Sequence, residues 1–305
     1  MYWMSRYLER AEHSARVIDV HLNLMLDETS GSVDRRWSRV ISALALSPTT
    51  VKTDTYGYAQ AHGFEQIVSC IIQARENARQ VREQISSEMW EQLNRLFLEV
   101  RRMETSDVWD AQPLEFLHAV KESSHLFQGL TDSTMNHGEG WQFIQVGRFL
   151  ERSKATSKLL DVHFQEFLKL HDEAMDSTSH MEWIGLLRSC TAFEAYCKVY
   201  TADLRPDRIA EFLLLNSEFP HSIRFAVDGM QQSLEAIHEC TSSKRSARVA
   251  KLAGRLRAEL SFTPLDEILS GLHNFFTTIR RQCAQIHTTV HQVYISYPIE
   301  AALEV

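Results

Sequence analysis

Apolar residues recur along this chain every three to four positions, in long segments that turn-forming residues separate. This spacing places apolar side chains on one face of an α-helix, and the two-residue alternation of strands is not evident. Helix-favouring Leu, Ala, Glu, Arg and Gln fill the intervals between six prolines and eleven glycines. We therefore predict an all-α protein, a multi-helix bundle. Its predicted helices cover 2–26, 33–46, 62–85, 87–104, 113–131, 139–170, 180–201, 206–215, 220–240, 245–260 and 264–294.

Two of these helices carry the same charged motif, Arg-x-x-Glu-Arg. The segments 6–22 and 148–164 align without gaps, with seven identities in seventeen positions, and the motif is the same in both. Such an internal repeat indicates two like substructures that face each other about a pseudo-two-fold axis. We expect a single domain over 1–305, with 1–135 and 136–305 as its two pseudo-equivalent halves.

The motif side chains lie opposite the main apolar stripe of each helix, on a face that also carries valine and leucine. Three interpretations stay open: a buried ionic network between the helices, a polar cleft that binds carboxylate or phosphate, and a solvated surface. In the cleft the ligand would be bound by Arg6, Arg10, Arg148 and Arg152.

An enzymatic alternative uses the acidic residue of either motif. Glu9 or Glu151 would act as general base in acyl or aminoacyl transfer, with the arginines stabilising an oxyanion. This alternative predicts a raised pKa for at least one carboxyl group in a deep cleft.

Charge and composition exclude several classes of protein. A formal net charge of −8 argues against a general nucleic-acid-binding protein, which usually carries a basic excess. Five cysteines without Cys-x-x-Cys spacing predict reduced, mostly buried thiols rather than disulfides or a zinc ribbon. No apolar run reaches the roughly 18 residues of a membrane span, and no signal peptide is evident. We expect a cytoplasmic protein without a membrane partner.

Metal and nucleotide chemistry find little support in the sequence. Glu-x-x-His pairs begin at Glu115, Glu122 and Glu235, only slightly more often than chance provides. The repeated Asp-Val-His at 19–21 and 161–163 points its acidic and imidazole groups apart on a helix. No P-loop, Gly-x-Ser-x-Gly or dinucleotide fingerprint is present. We therefore expect no metal and no cofactor.

Five blocks of this sequence resemble a known family in their order. They are YWMSRYLERAE at 2–12, ARENARQVREQI at 74–85, GRFLER at 147–152, LRSCTAFEAY at 187–196 and AEFLLLNSEFPHSIRF at 210–225. The chain is thereby similar to the bacterial alpha-E family, named for its α-helical structure and Glu-Arg motifs. Members usually carry a few residues before the first block, so the resemblance implies further residues ahead of Met1.

The resemblance implies a role in peptide-modifying systems beside an ATP-grasp-type amide ligase and a transglutaminase-like protein. We predict a helical component of a peptide or amino-acid ligation system that binds an acidic or acyl group of a peptide- or amino-acid-derived ligand. An acyl-transfer enzyme and a structural assembly protein, including a homo-oligomer through the motif face, stay open. Further candidate binding residues in the similar blocks are Arg75, Asn77, Arg79, Arg188, Glu194 and Arg224. For the first three the alternative is a solvated face, and for Arg188 with Glu194 a buried salt bridge.

Overall fold

The computed structural model describes residues 1–25, 30–46, 54–104, 112–167, 177–201, 203–241 and 244–295. Within them the chain forms thirteen α-helices and no strand, which confirms the all-α prediction. The helices are α1 (Tyr2–Leu24), α2 (Ser30–Ala43), α3 (Thr55–Gln80), α4 (Ser87–Glu104), α5 (Pro113–Thr134), α6 (Glu139–Phe167), α7 (Ser177–Ser189), α8 (Phe193–Tyr200), α9 (Pro206–Leu215), α10 (Ile223–Thr241), α11 (Lys244–Phe262), α12 (Leu265–Ser270) and α13 (Leu272–Val290). No helix in this part of the chain is long and apolar enough to cross a bilayer.

Eight of the helices pack as two groups of four. In the first group α1 packs along α3 and α5, and α4 contacts both of these. In the second group α6 packs along α10 and α13, and α11 contacts both of these. The two motif helices, α1 and α6, also pack directly on each other and so join the groups. Whether the groups are the halves of an internal repeat stays a prediction.

The motif helices run side by side in the same direction. Ser5 faces Gly147, and one pocket is lined by Val17 with Leu159 and by His21 with His163. In each of these pairs the two residues are 142 positions apart, so equivalent positions of the two helices lie at the same level. A Cβ added at Gly147 would lie 2.2 Å from Ser5 Oγ and 2.4 Å from the Tyr2 carbonyl oxygen. Only glycine permits this close approach of the two helices.

The predicted apolar stripe of α1 is buried as expected. Met4, Ala11, Ala15 and Ile18 have no exposed surface, because α3 and α5 cover them from the side opposite the motif. The motif face of the same helix carries Val17, which is equally buried. Since both faces of α1 are covered, this helix lies in the interior of the molecule.

Two predicted helices are interrupted in the structure. The predicted helix 264–294 breaks at Gly271 between α12 and α13, and 180–201 breaks after α7, where Thr191 adopts a left-handed φ of 53°. The apolar period continues across each break, so it did not indicate the interruption. Thr263, just before this predicted helix, does not cap it, since its hydroxyl donates to the Glu259 carbonyl oxygen at 2.7 Å.

Other helix ends agree within a few residues, with one exception. The helix predicted from residue 62 begins at Thr55, where the Asp54 side chain accepts a hydrogen bond from the Gly57 amide at 2.8 Å. This N-cap extends α3 by two turns. Residue 26 and residues 168–170, which were also predicted as helical, lie outside the described residues.

Candidate functional site

The carboxylates of the two motifs are bound by arginines of the opposite helix. Glu151 accepts hydrogen bonds from Arg6 Nε at 2.8 Å, Arg6 Nη2 at 2.6 Å and Arg10 Nε at 2.7 Å. Glu9 accepts from Arg152 Nε at 2.5 Å and Nη2 at 3.0 Å. Both glutamates are buried, 3% and 4% exposed, so the interpretation of this face as solvated surface is wrong. The arrangement is a buried ionic network between α1 and α6.

The environment of Glu151 keeps this side chain ionised. Burial raises the pKa of Glu151, but the charges of Arg6 and Arg10 and their hydrogen bonds outweigh burial and lower that pKa to about 2. A general base for chemistry near neutral pH needs a pKa much closer to the working pH. The raised pKa that the enzymatic alternative predicts is therefore wrong for Glu151.

The second motif is not a copy of the first in its contacts. Arg6 binds the glutamate of the other helix, whereas Arg148, at the equivalent position, has no ion pair within the described residues. Its Nε is buried without a hydrogen-bond partner there, and its guanidinium lies 4.7 Å from the Phe149 ring centre. Burial, and then the charge of Arg152, lower the pKa of Arg148. Beside it is a cavity of about 20 Å³, enough for roughly one water molecule.

The other side of Arg6 contacts an aromatic cluster that the sequence did not indicate. Arg6 Nη1 lies 3.0 Å from His287 Nδ1, and its guanidinium lies 5.0 Å from the Trp3 ring centre. Burial and the Arg6 charge lower the pKa of His287 to about 4, so the imidazole is neutral near pH 7. Because arginine only donates, Nδ1 must be the acceptor. Arg6 thus ties α13 to the two motif helices.

A basic cleft of about 320 Å³ opens beside the ionic network. Arg10 and Glu151 line it together with Lys154, Lys158 and Arg280. Arg280 donates to Asp161 at 2.7 Å. Neither lysine has an ion pair within the described part of the chain. Glu151, the one carboxylate among the lining residues, already binds two arginines, so the cleft keeps an excess of positive charge.

Sequence reasoning missed the lysines of this cleft because it gave weight to positions that are identical in both motif helices. Lys154 aligns with Glu12, which has the opposite charge, and Lys158 aligns with Arg16. On α1 the Arg16 guanidinium binds the Glu12 carboxylate, so these two charges cancel. On α6 the two cations lie one turn apart without such a partner. The informative signal was a difference in charge between the two motif helices.

Comparison with known proteins defines the family to which these motifs belong. A model named Alpha-E, described as a predicted alpha-helical domain with a conserved ER motif, matches residues 1–295. The chain belongs to the Alpha-E family. No curated protein and no solved structure matches it. Two Glu-Arg pairs of this Alpha-E protein, Glu9-Arg10 and Glu151-Arg152, fit that description, and both belong to the ionic network.

The candidate residues of α3 lie away from the basic cleft of the Alpha-E chain. Arg75 Nε donates to Asn94 at 2.9 Å, and its guanidinium lies 4.5 Å from the Phe97 ring centre, between α3 and α4. The Asn77 amide donates to a carbonyl of its own helix at 2.8 Å. Arg79 is exposed and pairs with Glu76 one turn earlier. None of the three lines the cleft.

The remaining candidates are also separate from the cleft. Arg188 and Glu194 are both exposed, so the predicted buried salt bridge between them is wrong, and Arg188 lies over Phe193 instead. Arg224 Nε lies 3.8 Å from Asp228, one turn later on α10. Of the candidate binding residues, Arg10 alone lines the cleft, with the candidate base Glu151 beside it.

The histidine and the aspartate of the first Asp-Val-His segment of the Alpha-E chain bind neighbouring protein groups. Asp19 binds Lys121 at 2.5 Å, whereas His21 Nδ1 lies 2.8 Å from the Val17 carbonyl oxygen of its own helix, so their side chains point apart as predicted. Among the described residues, no group of three His, Cys, Asp or Glu is placed to bind a metal ion. In the same part of the chain the five cysteines are free thiols, three of them buried.

Proposed function

We propose that this Alpha-E protein is a helical component of a peptide or amino-acid ligation system and binds an acidic or acyl group in its basic cleft. The observation that carries the proposal is the excess of positive charge in a cleft of about 320 Å³. Small-ligand sites are typically about 300–1,000 Å³, with a few placed polar groups. Work beside an ATP-grasp-type ligase and a transglutaminase-like protein in the cytoplasm belongs to the same proposal and rests on the family resemblance.

Three cations of the cleft would share the recognition of the ligand. Arg10 donates to Glu151 through Nε, and its terminal amino groups would donate to a carboxylate or phosphoryl oxygen of the ligand. Lys154 and Lys158 lie one helical turn apart and add two charges along the same wall. Such a ligand would be the terminal carboxylate, acidic side chain or acyl phosphate of a peptide or amino acid.

The ionic network supports binding by holding the walls of the cleft in place. Glu151 receives arginines from α1 and fixes Arg10, so the cleft depends on contact between the two motif helices. We also propose that the two groups of four helices are the halves 1–135 and 136–305 of an internal repeat. The meeting of residues 142 positions apart supports this proposal.

The first test is direct binding of small anionic probes. Titration calorimetry with acetyl phosphate and with a tri-glutamate peptide should show binding by the native protein. The double change Lys154→Gln/Lys158→Gln should weaken it at least about tenfold, since a charge-assisted hydrogen bond contributes about 1.5–3 kcal/mol. Arg95→Gln/Lys198→Gln removes two charges at exposed positions outside the cleft, so it is the matched control and should bind normally. Equal binding by the double variant and the control would refute the proposal for the cleft.

The second test addresses the ligation system. An ATP-grasp ligase from the same source is assayed with its candidate substrates, with and without the Alpha-E protein, and the products are identified by mass spectrometry. We expect the native protein to change the yield or the identity of the product and the double lysine variant to lose this effect. A ligase whose products do not respond to the native protein would refute the partnership and leave the anion-binding result unaffected.

A further inference from the structure

The exposed face of α11 combines several cations with one aromatic side chain. Arg248, Lys251 and Arg255 lie within about 60° of one another around the helix axis, and all three are exposed. Arg245 is also exposed at the edge of this sector. The buried residues of α11 point the opposite way, toward α10 and α13. We call the sector from Arg245 to Phe262 the basic face.

The charges of the basic face are not neutralised by neighbouring side chains. Within the described residues, Arg245, Arg248, Lys251 and Arg255 form no ion pair, whereas Arg257, on another side of α11, binds Asp228 at 2.9 Å. The acidic residue of α11, Glu259, accepts a hydrogen bond from the Gln282 amide. Like charges three or four residues apart destabilise a helix by roughly 0.2–0.5 kcal/mol per pair, so folding does not account for this arrangement.

Phe262 ends the basic face with a large apolar group in solvent. Phe262 is 84% exposed, above the 57% of Leu98 and Val199, the next most exposed large hydrophobic residues in the described part. It falls in the same sector as the cations, about 10 Å beyond Arg255 along the axis. Arginine and aromatic residues are enriched where proteins bind one another, and buried aromatic anchors often dominate the binding energy.

We propose that the basic face is a docking site for an acidic surface of a partner protein. The partner would present carboxylates opposite Arg248, Lys251 and Arg255 and an apolar pocket for Phe262. The net charge of −8 favours this occupant over nucleic acid or an anionic bilayer. Both of these are extended anionic surfaces, which the acidic residues on the rest of the molecule would repel. One exposed phenylalanine is also too small an apolar surface for membrane insertion.

The experiment measures binding of a fluorescent helical peptide that carries glutamates at i, i+3 and i+7 and a leucine at i+14, the spacing of Arg248, Lys251, Arg255 and Phe262 on α11. Anisotropy titration should give salt-dependent binding to the native protein. Arg248→Glu/Lys251→Glu/Arg255→Glu should lose at least tenfold in affinity, and Phe262→Ser at least fivefold. The control Arg35→Glu/Arg95→Glu/Lys198→Glu makes the same change in net charge at exposed positions elsewhere and should bind as the native protein does.

A lysine peptide of the same length gives a positive test of the geometry. It should bind the charge-reversed basic face and not the native protein. Equal loss in the charge-reversed variant and its control would overturn the proposal. Tighter binding of duplex DNA or of phosphatidylserine vesicles than of the acidic peptide would also overturn it. So would self-association of the native protein that the charge-reversed variant abolishes, because the occupant would then be a second copy.

Discussion

Arg152→Met and Arg148→Met make the same change one turn apart on α6, but we expect their effects on stability to differ strongly. Arg152 donates two hydrogen bonds to Glu9 and a third, from Nη1, to the Pro220 carbonyl oxygen at 3.0 Å. Without Arg152, the hydrogen bond that remains to the buried Glu9 carboxylate comes from the Gln128 amide at 3.5 Å. Removing one partner of a buried ion pair typically costs about 3–5 kcal/mol.

Arg148 offers little stabilisation to lose. It has no ion pair in the described part of the chain, and its Nε is buried without a partner, so methionine keeps the packing of the stem and removes a poorly solvated charge. We expect a change within about 1 kcal/mol, of either sign. The two variants should therefore differ by about 3 kcal/mol or more in the free energy of unfolding.

Urea unfolding at pH 7.5, followed by circular dichroism, measures this difference. Thermal unfolding should show Arg152→Met about 6–10 °C below the native protein, at roughly 2 °C per kcal/mol for a chain of this size. The double change Glu9→Gln/Arg152→Met should recover more than half of the loss, because it also removes the uncompensated carboxylate. Equal losses in Arg148→Met and Arg152→Met, or no recovery in the double variant, would refute this reasoning.

Three further predictions concern single side chains of the motif helices. Since the pKa of Glu151 falls from 4.5 to about 2 on folding, it contributes about 3 kcal/mol above pH 4.5, and this is lost as the pH falls toward 2. Glu151→Gln should remove that slope from urea unfolding measured between pH 2 and 5. Burial lowers the pKa of His163 from 6.5 to about 3, so the unfolded chain binds the proton first and stability falls as the pH drops below 6.5. His163→Leu should flatten the fall in stability below pH 6.5 in a urea-unfolding series measured between pH 3 and 7.5. Gly147→Ala, whose Cβ would lie 2.2 Å from Ser5 Oγ, should lower stability by about 1–3 kcal/mol in thermal unfolding. Gly129→Ala, with nothing within 4 Å, should raise it by up to about 1 kcal/mol, and equal effects of the two changes would contradict the close approach.

The sequence could predict the helices and the inner face of α1 because both depend on local spacing. Met4, Ala11 and Ile18 recur at helical intervals and are buried. It could not predict the pairing of Glu151 with Arg6 and Arg10, because that pairing depends on the relative position of two helices separated by more than a hundred residues. The apolar period likewise could not indicate the break at Gly271, since the period persists through it.

The candidate site was predicted only in part, for a related reason. Arg10 and Glu151 of the repeated motif line the cleft, and their role in binding stays a prediction. The lysines of the cleft occupy positions where the two motif helices differ, so a search for identical positions did not find them. Arg75 and Arg79 were candidates because arginines crowd one helix in a block that resembles the family, and they lie outside the cleft on α3.

The crossed ion pairs between α1 and α6 also constrain how the chain can fold. Each motif keeps the cations for its carboxylate on the other helix, so Glu9 and Glu151 are neutralised only after both helices have come together. A fragment that contained only the first group of four helices would lack Arg152, so the Glu9 carboxylate would lose its ion pair. A misaligned pair of helices would leave a buried charge without a partner, so the network favours the observed alignment of α1 with α6 over other registers.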